Sequence, residues 1–69
     1  MNNPEEIKNL LLNKSLIVNS FICKIVEVEY SNNGKISLTL KNEKTNELFL
    51  SSFPDSQLNL VLKKIIHEA

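Results

Sequence analysis

One stretch of this chain has little conformational choice. Lys35-Ile36-Ser37-Leu38-Thr39-Leu40-Lys41 alternates apolar and polar residues without a break. Successive side chains on a strand point to opposite faces. A strand therefore gathers Ile36, Leu38 and Leu40 on a dry face and leaves the charged and hydroxylic set in water. Val26-Glu27-Val28-Glu29-Tyr30 alternates in the same way. Between the two lies Ser31-Asn32-Asn33-Gly34, whose Asn-Gly pair signals a hairpin turn. A two-residue Asn33-Gly34 loop would set dry residues opposite wet ones. A three-residue loop, Asn32-Asn33-Gly34, instead pairs Tyr30 with Ile36, Val28 with Leu38 and Val26 with Leu40. That loop needs a left-handed residue at its end, and Gly34 is the single glycine in the chain.

The rest of the chain is read around this hairpin. Asn3-Pro4-Glu5-Glu6 has the cap, the first-turn proline and the box glutamate of a helix start, and predicts a helix over 4–14 with Ile7, Leu10 and Leu11 on one face. Leu16 to Ile25 is β-prone but apolar on both parities. Glu47 to Ser51 reads as a third strand, with Leu48 and Leu50 on the dry face and Phe49 on the wet one. Asn46 is the left-handed candidate of the turn before it. Ser52-Phe53-Pro54-Asp55 carries capping-box spacing, and Leu58, Val61, Leu62 and Ile65 follow helical period, which predicts a helix over 53–67. The expected fold is a single α+β domain over 1–69, ordered α-β-β-β-α, with both helices on one face of a three-stranded antiparallel meander. Its expected core is Ile7, Leu11, Val26, Val28, Ile36, Leu38, Leu40, Leu50, Leu58, Val61, Leu62 and Ile65.

Composition excludes more than it assigns. The chain has 69 residues, a formal net charge of zero and one cysteine, so no disulfide framework staples it. Neither a signal peptide nor an apolar run of the roughly 20 residues that span a membrane is visible, which implies a cytoplasmic protein. All its basic residues are lysine. Without arginine's bidentate fork, and with balanced charge, a strong electrostatic footprint for nucleic acid is not expected.

Chemistry is equally sparse. Cys23 with His67 as base is the one nucleophile pair on offer; the plainer reading is a packed thiol and a solvated helix-end histidine. One cysteine and one histidine are too few for a zinc site. Glu27 and Glu29 share a strand face and read as solvated. One glycine cannot build a phosphate loop. Asn13-Lys14-Ser15 fits the glycosylation pattern, which matters only in a secreted chain. No cofactor, metal or small-molecule substrate is implied, and the chain reads as non-enzymatic.

The order helix, three antiparallel strands, helix resembles the double-stranded RNA-binding domain. That family binds phosphates through a basic cluster at the start of its second helix, where this chain has Phe53-Pro54-Asp55-Ser56-Gln57 and no lysine. Asn59-Leu60-Val61-Leu62 is similar to a short strand motif of Sm-like RNA-binding rings, within a helical period. Nucleic-acid binding, through the sheet or Lys35, Lys41 and Lys44, is therefore the alternative function. The leading expectation is a small protein-binding module: an inhibitor, an adaptor or an oligomer-forming subunit, of the kind phages and mobile elements encode. Its partner would be another protein or a second copy in a homodimer. The expected site is an apolar patch of Phe21, Cys23, Ile25 and Phe49 on the outer sheet face, with the adjoining strand as a pairing edge. A bulge between Lys24 and Val26 would instead tuck Cys23 and Ile25 into the core, and the alternation alone leaves both arrangements open.

Overall fold

The computed structural model describes residues 3–66. They form α1 (Pro4–Leu11), β1 (Ser15–Val18), β2 (Phe21–Tyr30), β3 (Lys35–Asn42), β4 (Leu48–Pro54), a 3-10 turn (Asp55–Gln57), α2 (Leu58–Lys64) and β5 (Ile65–Ile66). All strand pairings are antiparallel, in one sheet of order β4-β3-β2-β1-β5. The chain is thus α+β with an antiparallel sheet and two α-helices among the described residues. The expected three-stranded meander, and with it the topology of the double-stranded RNA-binding domain, is replaced by five strands.

The central hairpin has the expected turn. Gly34 has φ +82°, its N–H donates to the Ser31 carbonyl at 3.0 Å, and Ser31 N–H donates to Lys35 at 2.9 Å. These close the three-residue loop. Tyr30 faces Ile36 and Val28 faces Leu38, but Leu40 faces Ile25 and not Val26. The register shifts between Ile25 and Glu27, leaving Val26 as the extra residue of a bulge. The bulge resets parity, so Cys23 and Ile25 point inward with Val28. Cys23 is 1% exposed and Ile25 0% exposed, while Val26 is only half-buried. This corrects two expectations: Val26 leaves the core, and Cys23 and Ile25 leave the surface.

The stretch that is apolar on both parities proves to be a second hairpin. Asn19 and Ser20 have φ +50° and +72° and join Val18 to Phe21 across a two-residue turn. Positive φ at both loop residues is the twist-matching turn of tight hairpins. Leu16 pairs with Cys23 inside, and Ile17 pairs with Ile22 outside.

β4 is offset by one residue from expectation. Asn42 N–H donates to the Glu47 carbonyl at 2.9 Å, Asn46 takes the left-handed conformation, and the Asn42 side chain accepts from Lys44 N–H at 2.9 Å. This turn sets Phe49 opposite Leu40, Ser51 opposite Leu38 and Phe53 opposite Ile36. Leu48 and Leu50 consequently face outward, and Leu50 is not a core residue. The ladder continues to Pro54, so Ser52 lies in a strand and caps no helix. Asp55 N–H donates to the Gly34 carbonyl at 2.8 Å, and its carboxylate accepts from Tyr30 Oη at 2.5 Å. The final helix shortens to Leu58–Lys64 and includes Asn59-Leu60-Val61-Leu62, while Ile65–Ile66 turns into a strand beside β1. His67, the last residue of the expected helix, lies outside the described residues.

α1 starts as its sequence dictates. Asn3 Oδ1 accepts from Glu6 N–H at 2.9 Å, and Pro4 occupies the first turn. It ends at Leu11, short of the expected Lys14, because Asn13 turns left-handed and Asn13 and Lys14 hydrogen-bond to Ile25 of β2. Its Ile7 and Leu11 join Leu16, Cys23, Ile25, Val28, Ile36, Leu38, Leu40, Leu58 and Ile65 in one buried cluster, with Val61 and Leu62 partly buried against it.

Candidate functional site

The strand β4 forms one edge of the sheet and has β3 as its only neighbour among the described residues. Its backbone geometry follows from the two ends of the ladder. Asn42 and Glu47 share a hydrogen bond at one end, and Gly34 and Asp55 share one at the other. Hydrogen-bonded and non-bonded pairs alternate along an antiparallel ladder. Phe49, Ser51 and Phe53 therefore spend their backbone groups on β3. The N–H and C=O groups of Leu48, Leu50 and Ser52 point away from the sheet, toward the free edge. Pro54 ends this row because it has no N–H to offer.

The side chains divide along the same line. Leu48 and Leu50 stand on the outer face, 63% and 79% exposed. Leu50 lies beside Thr39, and Leu48 beside Lys41. No residue from Leu48 to Pro54 is charged. Proteins usually protect an edge strand with lysine, proline, an inward charge or a bulge within it, and of these β4 has only Pro54, at its very end. On the inner face Phe49 and Phe53 border a cleft of about 350 Å³ between β4 and the β1–α2 side, where Val61 adds apolar wall and Lys64 is the one cation.

The four residues expected to form a patch are not brought together. Cys23 and Ile25 are core. Phe21, 42% exposed, lies at the β1–β2 turn beside Glu43 and Lys44. Phe49, 36% exposed, borders the cleft. The exposed apolar groups of the outer face are Leu48 and Leu50 on β4 and the Ile17–Ile22 pair on β1 and β2. The rank Ser15-Lys24-Lys41-Leu48 carries two lysines between these apolar groups. Sequence reasoning missed Leu48 and Leu50 as surface groups. The signal present was the lack of charge across seven consecutive residues, which marks an edge without charged guards.

The chemistry of the other titratable groups is modest. The Cys23 thiol is buried and meets the Phe21 carbonyl oxygen at 3.7 Å. Among the described residues no three histidine, cysteine or acidic side chains converge on a point where they could hold a metal. The hydrogen bond to Asp55, then burial, then the carboxylate charge hold the Tyr30 hydroxyl above its ordinary pKa. No helix among the described residues is long and apolar enough to cross a membrane. Comparison with known protein families, curated proteins and solved structures finds no match to this chain.

Proposed function

We propose that this chain is a non-enzymatic protein-binding module that acts by taking an extra strand onto β4. The observation that carries this reading is the unguarded edge. Leu48, Leu50 and Ser52 present their backbone groups outward on a strand without charge, and the Leu48 and Leu50 side chains are exposed. In strand addition, main-chain hydrogen bonds provide affinity and alternate side chains provide selectivity. Here Leu48 and Leu50 supply the selective contacts, and an incoming strand with apolar residues on its outer face fits them. The balanced charge and the scattered lysines support this over the nucleic-acid alternative.

Leu50→Pro provides the test. The substitution removes an N–H that points outward and leaves intact the bonds of Phe49 and Ser51 to β3. Proline is tolerated at such edge positions. The tagged variant should keep the parental circular dichroism and lose the proteins that co-purify with the parent from its native cell. Unchanged co-purification by a folded Leu50→Pro chain rules out the edge. Retention on heparin at physiological salt would favour the nucleic-acid alternative.

A further inference from the structure

From the free edge we infer that the strand β4 accepts is β4 of a second copy, in an isologous dimer with its two-fold axis at Leu50. This rests on the edge reading above and adds the partner and the register.

Three observations identify the partner. First, the row of free backbone groups is self-complementary. A two-fold axis at Leu50 sets Leu50 opposite its own copy and Leu48 opposite Ser52 in both directions, so every outward N–H meets a C=O. A register centred on Ser51 would instead set Leu50 opposite Ser52 and Leu48 opposite Pro54, which has no N–H to give the Leu48 carbonyl, and would part the two Leu50 side chains. Second, like charges opposite one another are the usual obstacle when a strand pairs with itself. From Leu48 to Pro54 there is no charge to oppose. Third, the pairing covers the most exposed large apolar side chains of the described residues, Leu50 at 79% and Leu48 at 63%. A chain of 69 residues without a disulfide gains from such cover, because domains below about 70–80 residues commonly rely on staples or on oligomerisation. The opposite edge competes poorly as a partner for β4, since β5 pairs over only Ile65–Ile66 among the described residues.

The geometry can be tested by charge exchange at the axis. Leu50→Lys and Leu50→Glu each place like charges face to face in a self-dimer and should each weaken self-association by roughly tenfold or more. A one-to-one mixture should restore a two-chain species, because the axis then sets Lys opposite Glu. Both variants should keep the parental circular dichroism, since Leu50 touches no core. Sedimentation of the parent should show a dimer whose Leu48, Leu50 and Ser52 amides exchange slowly with deuterium. A monomer with fast edge amides overturns the second-copy inference and leaves strand addition standing. A dimer with fast edge amides associates elsewhere, and overturns the second-copy inference while leaving the edge open to another protein. A series of ever-larger species indicates head-to-tail pairing and overturns the two-fold axis. Failure of the mixed variants to recombine overturns the register.

Discussion

The bulge at Val26 decides which half of β2 is core, and two alanine substitutions weigh it. Ile25 has no exposed surface and packs among Leu40, Cys23 and their neighbours. Ile25→Ala removes three carbon groups, at about 0.8 kcal/mol each for lost burial, before any cavity term. With the cavity, the expected cost is about 2–5 kcal/mol. Val26 is half-buried and unpaired in the ladder. Val26→Ala should cost about 1 kcal/mol or less. A domain of this size has about 3–5 kcal/mol in total, so Ile25→Ala should be largely unfolded without denaturant, and Ile25→Val, at about 0.5–1.5 kcal/mol, keeps the series measurable. The assay is urea unfolding followed by far-ultraviolet circular dichroism, because the chain has no tryptophan. With a slope near 1 kcal/mol per molar urea, Ile25→Val should move the midpoint down by about 0.5–1.5 M and Val26→Ala by no more than about 1 M. A larger loss for Val26→Ala than for Ile25→Ala would falsify the bulge, and return Cys23 and Ile25 to the outer face.

Further outcomes follow from the turns and the tyrosine. Gly34→Val should cost at least about 1 kcal/mol by the same unfolding assay, because φ is +82° and a Cβ there would meet the Asp55 carboxylate at 3.3 Å; a neutral result contradicts the three-residue loop. Ser20→Gly should raise stability by up to about 1 kcal/mol, since Ser20 holds φ +72° in a turn that favours glycine; a lower melting temperature would show that this turn is not left-handed. Tyr30→Phe should lower the melting temperature at neutral pH by removing the bond to Asp55. The folded chain holds the Tyr30 proton more tightly than the unfolded chain does, so its contribution is complete below pH 10.0 and is lost as pH rises beyond it. The parent should therefore lose more stability than Tyr30→Phe above that pH in a melting series, and parallel curves would mean that the hydroxyl is unpartnered.

The central hairpin was legible because Ile36, Leu38 and Leu40 alternate with polar residues and one glycine sits where the turn needs it. The start of α1 was legible for a similarly local reason, the spacing of Asn3, Pro4 and Glu6. Elsewhere the alternation was ambiguous. Leu48, Phe49 and Leu50 are apolar on both parities, so the turn at Asn42–Asn46 alone chose between Leu48 and Phe49 as the partner side, and that choice carried the candidate site with it. Leu16 to Ile25 hid a hairpin because Asn19-Ser20 lacks the glycine that usually marks such a turn. Ser52 to Asp55 had the spacing of a helix cap, yet long-range pairing with Lys35 and Ile36 claimed those residues first. The expected patch failed on one extra residue in β2.

That extra residue also sets where the chain can change length. Loss of residue 26 would leave Ile25 facing Leu40 and Glu27 facing Thr39 as successive pairs, with every side chain still on its present face. The strand would straighten, and its alternation would survive. Loss of one residue elsewhere in β2 would turn the segment on one side of the gap over, sending buried groups outward. Among single-residue deletions in this strand, the one at position 26 should be the mildest. A lineage could therefore shed or regain it while keeping the same core.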